Sequence, residues 1–167
     1  MPPVAEWQRA ADRGAQHRAA VRYAPPPFSP ASARIPADIH GAFVAWARHG
    51  LPNEACGIIA APTTAEDGGL PTRFVGMRNA AASPYRYLID PEEQLRVMLD
   101  IDDADEVVWG ICHSHVASAP EPSATDVGLA AYPDALYLIC SLAGPEPVVR
   151  AWSIRAGAVS EIVLEPM

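Results

Sequence analysis

The stretch HSHVASAPEPSATD, residues 113–126, contains the side chains best suited to chemistry in this chain. Residues two apart along an extended strand point to the same side, so His113 and His115 direct both imidazoles to one point while Ser114 faces away. Histidine is the commonest metal ligand among side chains, and Zn–N bonds of about 2.0–2.1 Å allow two such rings on one ion. The pair is therefore a candidate for two ligands of a metal site.

A third ligand is offered by Asp126, in the first turn of a helix predicted from Ser123 to about Tyr132. A tight loop with Pro120 and Pro122 could swing this turn back over the strand end. Two simpler interpretations stay open, since Ser-x-x-Asp is also a complete capping box and solvated loop histidines are common. If there were no metal site, His-x-His at a strand end and Ser-x-x-Asp at a loop-length interval after it would be two independent coincidences. Their joint occurrence therefore favours the metal site.

A zinc ion with three protein ligands keeps a fourth position for water and lowers the pKa of that water from about 15.7 to about 7. Hydrolysis then needs a base that takes the proton of this water and returns it to a leaving amine, a role suited to a glutamate that is not a ligand. Glu54, in LPNEACGII between the first predicted helix and the first predicted strand, is the candidate. From this stretch alone, an exposed loop glutamate is the simpler interpretation.

The elements that must position these side chains begin with an amphipathic helix predicted over about residues 37–49. Apolar residues recur along it at i, i+3, i+4, i+7 and i+8 from Ile39, and Gly50 follows its end. Three strands are predicted next, with the sequences ACGIIAA, RFVGMRN and YRYLI.

A second helix is predicted after these strands, with Asp90 as its cap and Pro91 at its first position. Its buried stripe is predicted to comprise Leu95, Met98 and Leu99. The run EVVWGICH is apolar on both faces, as a central strand covered on both sides would be, and His113 sits at its end. Later strands are predicted at ALYLICSL, VVRAWSI and AVSEIVLE. This order indicates an α/β chain of the α+β type, with a mixed central sheet and helices packed on it.

Length and composition indicate one globular domain at residues 34–167, preceded by an extension at residues 1–33 that is rich in Ala, Arg and Pro. We interpret the extension as flexible; a transit peptide is the alternative. No apolar run approaches the ~20 residues needed to cross a bilayer, so we expect a soluble protein with no membrane partner. The net charge of −8 disfavours nucleic acid as a partner, because phosphate backbones are bound by clustered Lys and Arg.

The three cysteines are odd in number and no secretory signal is recognisable, so free thiols in a reducing cytoplasm are expected. Strand alternation turns Cys112 away from the face used by His113, and we predict core packing for Cys112 and Cys56, with metal ligation as the alternative. The sequence leaves the oligomeric state open, a homodimer included. Surface or helix-end roles are assigned to His17, His40 and His49.

At the residues singled out above, the sequence resembles the JAMM (MPN+) metalloproteases, whose motif is an upstream Glu, then His-Ser/Thr-His, seven residues and Ser-x-x-Asp. HSH, VASAPEP and SATD match this motif, and Glu54 lies in the Pro-x-Glu-x-Cys-Gly setting typical of small bacterial members. The resemblance covers about residues 35–164 and implies the MPN/JAMM (cytidine-deaminase-like) fold. It also implies one Zn²⁺ per chain held by His113, His115 and Asp126. Glu54 would be the general acid/base, and Ser123 would help hold the zinc-bound water or the oxyanion.

The same resemblance implies the reaction, because JAMM enzymes hydrolyse the amide bond after the C-terminal Gly-Gly of ubiquitin or ubiquitin-like proteins. This short chain is similar to the bacterial branch that processes sulfur-carrier proteins, so the expected function is release of cysteine from a carrier–cysteine adduct in cysteine biosynthesis. The alternatives are a peptidase or isopeptidase with another ubiquitin-like or peptide substrate, and a non-catalytic MPN interaction module. A zinc deaminase is excluded because it needs Pro-Cys-x-x-Cys, which the chain lacks.

Overall fold

Residues 31–167, the part of the chain that the computed structural model describes, contain a seven-stranded sheet and three helices. In chain order the elements are β1 (Ser32–Ile35), α1 (Ala37–His49), β2 (Cys56–Ala61), β3 (Arg73–Met77), α2 (Pro91–Asp103), β4 (Val107–His115), α3 (Ala124–Leu129), β5 (Leu136–Ser141), β6 (Val148–Arg155) and β7 (Ala158–Pro166). The predicted α+β class with a mixed sheet is confirmed. In this part of the chain, no helix combines the length and the apolar character needed to span a membrane.

Strand β4 lies in the interior of the sheet, whose order is β1-β7-β6-β5-β4-β2-β3. It pairs in parallel with β5 as far as His115 and antiparallel with β2 as far as His113, which lies opposite Ile139 and Cys56. Residues 109–115 are all buried. The predicted central strand is therefore confirmed, and its two neighbours hold its end in a rigid frame.

Helices α1 and α2 pack on opposite faces of the sheet. Phe43 of α1 is fully buried in one cluster with Cys112, whereas Val97 of α2 is buried in the other cluster with Ile111. Burying a side chain such as Phe stabilises a fold by about 1.5–3 kcal/mol. Because side chains alternate along β4, Cys112 faces α1 and His113 faces the side of α2, as predicted.

The third predicted strand, YRYLI, does not form. Residues 85–89 are instead loop, and their strand-like pairing is limited to an isolated bridge between Asn79 and Ile89. The Asn79 carboxamide binds the carbonyl of Arg86 and the N–H of Leu88, two backbone groups that a strand would offer to a ladder. Local alternation is thus overridden by one polar side chain outside the segment.

Strand β1 is an element that the sequence analysis did not predict. It is four residues long and pairs in parallel with β7, so it depends on a partner at the far end of the chain rather than on a local pattern. It includes Ser32 and Ala33, which the sequence analysis assigned to the extension. Residues 1–30, His17 among them, lie outside the described residues, so the flexible extension stays a prediction.

Helix α2 begins as predicted but buries a different face. The Asp90 carboxylate accepts two backbone N–H groups of the first turn, and Pro91 is the first helical residue. Of the predicted stripe, Leu95 and Leu99 are 63% and 56% exposed, whereas Met98 is partly buried against the core. The buried residues are Val97 and Ile101. The helix carries two apolar stripes. The Asp90 N–H donates to the carbonyl of Arg78, just after β3, and this hydrogen bond helps to select which stripe faces the sheet.

Helix α3 starts after Ser123, as predicted, but ends at Leu129 rather than near Tyr132. Pro133 disfavours a helical conformation at the residue before it. The backbone N–H of Tyr132 instead donates to the Tyr137 hydroxyl at 2.9 Å, which directs the chain into β5.

Candidate metal centre

The end of β4 brings two imidazoles together. The Nε2 atoms of His113 and His115 lie 3.1 Å apart, and the two side chains are 0% and 5% exposed. Ser114 faces the other way, where its hydroxyl accepts the N–H of Ala55 at 2.8 Å and its own N–H donates to the Ala55 carbonyl. The same-side geometry predicted from residue alternation is therefore present, and Ser114 ties β4 to the segment that precedes β2.

Asp126 approaches this pair from the first turn of α3. Its Oδ1 lies 3.4 Å from His113 Nε2, and its Oδ2 lies 3.6 Å from His115 Nε2. Ligand atoms about 2.0–2.1 Å from one tetrahedral centre lie about 3.3 Å apart, close to the separation of the two Nε2 atoms and to that between His113 Nε2 and Asp126 Oδ1. Among the described residues, these three form a group that could hold a metal ion. Two imidazoles and a carboxylate are also a donor set that zinc accepts.

Asp126 is at the same time the acidic member of a capping box. Its Oδ2 accepts the N–H and the hydroxyl of Ser123, both at 2.7 Å, and its own N–H donates to the Ser123 hydroxyl oxygen at 3.1 Å. Burial alone would raise the pKa of Asp126, but hydrogen bonds from the two imidazoles and Ser123 hold it well below its usual range. The capping interpretation and the metal interpretation of Ser-x-x-Asp are therefore compatible, because the cap uses Oδ2 and leaves Oδ1 facing His113.

The surroundings of His115 favour metal binding through its Nε2 atom. His115 Nδ1 lies 2.7 Å from the Ala119 carbonyl, a contact that requires the proton on Nδ1 and leaves the Nε2 lone pair free. Burial lowers the pKa of His113, which keeps that ring neutral, and Tyr87 stacks on it with centroids 4.3 Å apart. Burial opposes protonation of His115, but hydrogen bonds to Asp126 and Ala119 outweigh it and raise its pKa.

Glu54 is buried, with only 6% of its surface exposed, so the exposed-loop interpretation is wrong. Burial raises its pKa to about 7; His115 lowers it and Asp126 raises it further by charge interactions. A carboxyl group with this pKa exchanges protons near neutral pH, which suits general acid/base chemistry.

A cleft of about 280 Å³ joins these groups. Glu54, His115, Ser123 and Asp126 line it, and His113 lies beneath it in the sheet. The structure therefore brings all five predicted site residues to one place, while their roles stay predictions. Aromatic side chains and the loop after β3 form much of the remaining wall, which includes Tyr85, Arg86 and Tyr87.

Tyr87 and the Ala119 carbonyl were not predicted as parts of the site, because no spacing rule in the sequence marks either of them. Cys56 lies beside His113 across the β2–β4 pairing, but burial raises the pKa of its thiol to about 12. Burial also raises the pKa of Cys112. Metals bind the thiolate, so neither environment favours ligation. All three cysteines are free and buried.

Residues 36–155 match the family described as prokaryotic homologs of the JAB domain. The chain is 45% identical over 128 residues to the CysO-cysteine peptidase of Mycobacterium tuberculosis, an alignment that covers 76% of this chain and 86% of that protein. It is 37% identical over 112 residues to the desampylase of Haloferax volcanii, which covers 64% of this chain and 78% of that protein.

Solved structures show the same fold. A Desulfitobacterium hafniense protein known from a solution structure superposes with a TM-score of 0.72 at 34% identity, over 80% of this chain and 92% of that one. A JAB1/MPN domain protein from Archaeoglobus fulgidus has a TM-score of 0.51 at 14% identity, over 79% and 98% of the two chains. The predicted MPN/JAMM fold is confirmed.

Proposed function

The chain belongs to the prokaryotic JAB-domain family, and on that premise we propose that it is a zinc-dependent hydrolase of a ubiquitin-like sulfur-carrier protein. It cleaves the amide bond after the carrier's C-terminal Gly-Gly and releases cysteine from a carrier–cysteine adduct. The observation that carries this proposal is the buried His113, His115 and Asp126 cluster, which shares a cleft with a buried glutamate. The 45% identity to a CysO-cysteine peptidase supports the choice of substrate.

His113, His115 and Asp126 are the proposed ligands, with one Zn²⁺ per chain. When bound, zinc would supply a Lewis acid that activates a water molecule and polarises the scissile carbonyl. Nε2 of His115 is oriented for this role by the hydrogen bond from Nδ1 to the Ala119 carbonyl, and Oδ1 of Asp126 faces His113. The ligands therefore come from a rigid strand and from the capped end of a short helix.

Glu54 is the proposed proton carrier. Its carboxylate takes a proton from the attacking water and delivers it to the nitrogen of the leaving amine, so that the carbon–nitrogen bond breaks without releasing an amide anion. The Ser123 hydroxyl lines the same cleft and would hold the attacking water or the developing oxyanion. This hydroxyl donates to Asp126 in the structure, so it must turn toward the cleft to hold the attacking water or the oxyanion.

The substrate proposal has a physical basis in the chemistry of glycine. A Gly-Gly tail has no side chains beyond hydrogen and can lie extended where any larger residue would clash. The similarity to a desampylase favours a second candidate, an isopeptidase acting on another ubiquitin-like protein. A reducing cytoplasm, where three buried thiols would stay reduced, is the proposed location.

The proposal is tested by mass spectrometry of the ubiquitin-like carrier from the same genome, as a cysteine adduct, incubated with the zinc-loaded protein. We expect wild-type protein to return the free Gly-Gly end. Glu54→Gln should lose about 10²–10⁴-fold in rate and keep zinc, whereas Asp126→Ala should lose both. Glu146→Gln, at an exposed glutamate, is the matched control.

Two negative results would contradict different parts of the proposal. An intact adduct with fully zinc-loaded wild-type protein would overturn the substrate proposal. A Glu54→Gln variant as fast as wild type would overturn the proposed proton carrier, whatever the substrate.

A further inference from the structure

The side chain of Asn79, just after β3, is fully hydrogen-bonded to backbone groups. Its Nδ2 donates to the carbonyls of Glu54 at 2.9 Å and Arg86 at 3.1 Å. Its Oδ1 accepts the N–H groups of Ala81 at 3.0 Å and Leu88 at 2.9 Å. An amide side chain offers two N–H donors and an oxygen with two lone pairs, so all four positions are used.

These bonds join Glu54 to the loop between β3 and α2. The carbonyl of Glu54 accepts from Asn79, and its N–H donates to the carbonyl of Ser83 in the same loop at 2.9 Å. Both polar backbone groups of Glu54 are thus bound by residues 79–88. Its segment lies outside the helices and strands, so this loop supplies hydrogen bonds that a regular element would otherwise provide.

The same loop forms one wall of the cleft. It carries Tyr85, Arg86 and Tyr87, and Tyr87 also stacks on His113. A displacement of the loop would therefore move Glu54 and the cleft wall together, because Asn79 binds the chain on both sides.

We propose that Asn79 is a positioning residue that sets the location of the Glu54 carboxylate relative to the metal centre. This inference rests on the proposed function of Glu54. Aspartate cannot substitute, because a carboxylate oxygen would face two carbonyl oxygens at the positions where the amide now donates. Alanine would leave four backbone groups without this partner.

The test compares Asn79→Ala and Asn79→Asp with wild type and with Glu54→Gln, all zinc-loaded, on the carrier–cysteine adduct. We expect each Asn79 variant to lower kcat about 10- to 100-fold with zinc content unchanged, since a misplacement near 1 Å costs about that much. Asp67→Ala is the control, because it removes a loop hydrogen bond to Thr64 at the opposite end of β2 and should leave kcat unchanged.

The double variant Asn79→Ala, Glu54→Gln separates positioning from general structural damage. If Asn79 acts through Glu54, adding Asn79→Ala to Glu54→Gln should cost less than about threefold, because residues that act as one unit are not additive. An equal loss in both backgrounds, or unchanged kcat in the single variants, would overturn the inference. An inactive wild-type protein would instead contradict the proposed function.

Arg86 is the single Lys or Arg among the described residues that line the cleft. This observation is independent of the Asn79 hydrogen bonds. Its side chain is exposed, and no ion pair ties it to another described residue. The other lining side chains that can carry a charge near neutral pH are His115 and two carboxyl groups, those of Glu54 and Asp126. An anionic group entering this cleft would be repelled by the two carboxylates and attracted by the Arg86 guanidinium, which lies on the wall outside the proposed metal ligands.

We infer that Arg86 binds the α-carboxylate of the amino acid joined to the carrier. A guanidinium presents paired N–H donors that match a carboxylate. This inference also rests on the proposed function, and it makes the enzyme selective for an amino-acid adduct over an amide without a carboxylate.

The test uses two carriers, one ending in Gly-Gly-cysteine and one ending in Gly-Gly-cysteinamide, which lacks the free carboxylate. We expect wild type to prefer the first by about tenfold or more in kcat/KM, the loss of about one charge-assisted hydrogen bond. Arg86→Gln should remove this preference, and Arg86→Lys should keep part of it. Arg96→Gln, the same charge change on the exposed face of α2, should keep all of it. The inference is wrong if wild type shows no preference or if Arg86→Gln retains it. Cleavage of neither carrier by wild type would contradict the proposed function.

Discussion

The burial of Glu54 has a consequence for stability that can be measured without substrate. Its pKa rises from 4.5 to about 7 in the fold, mainly because burial penalises the carboxylate. At about 1.36 kcal/mol per pH unit, this difference of about 2.5 pH units corresponds to about 3 kcal/mol against the charged form. Glu54→Gln keeps the shape of the side chain and removes the charge.

The direction of the pH dependence of stability follows from proton binding by Glu54 in the folded and unfolded states. Below pH 4.5 the group is protonated in both folded and unfolded protein, so it has no effect. Between pH 4.5 and 7 the unfolded chain ionises while the folded chain keeps its proton, so the free energy of unfolding falls as pH rises. Above pH 7 the loss is complete. The glutamine variant should therefore match wild type near pH 4.5 and exceed it by up to about 3 kcal/mol at pH 8.

The assay is urea unfolding of metal-free protein in the presence of a chelator, at several pH values from 4.5 to 8. Glu146→Gln is the matched control, because the Glu146 side chain is 88% exposed and should show little pH-dependent difference. A gap between Glu54→Gln and wild type that stays constant with pH would refute the reasoning. Glu54 would then be solvated in the folded protein.

Three further predictions concern the metal and the thiols. In protein purified without added zinc, the His113→Ala, His115→Ala double variant should fall from about one zinc per chain to nearly none, and unchanged metal content would contradict the ligand assignment. Ser123→Ala should lower the free energy of unfolding by about 1 kcal/mol through loss of the helix cap and also weaken zinc affinity, measured by chelator competition. Thiol titration of unfolded protein under non-reducing conditions should count three free cysteines, and a count of one would contradict the reducing compartment.

Much of the site could be predicted because its signals are local. Alternation along a strand places His113 and His115 on one side, and an apolar run on both faces marks β4 as an interior strand. The position of Asp126 could be predicted from a helix start signal at a loop-length distance. These inferences hold because each depends on geometry within a few residues.

The features that the sequence did not reveal depend on contacts between distant segments. β1 forms by pairing with β7, and no pattern within its four residues predicts that partner. Residues 85–89 have a sequence typical of a strand. Asn79 nevertheless binds their backbone and holds them as a wall of the cleft. The burial of Glu54 likewise results from packing of that loop, so its neighbours in sequence could only indicate an exposed position.

The two halves of the metal centre differ in how firmly the fold holds them. His113 and His115 belong to an interior strand with partners on both edges, so their rings are preformed. Asp126 lies on a six-residue helix with no fully buried residue, too short to be stable by itself. What holds that helix is its capping box, partial packing of Val127 and the contacts of Asp126 with the two imidazoles. A metal bound by all three side chains would therefore stabilise α3 as well as the site. The Ser-x-x-Asp spacing allows both roles because Oδ2 of Asp126 caps the helix while Oδ1 faces His113.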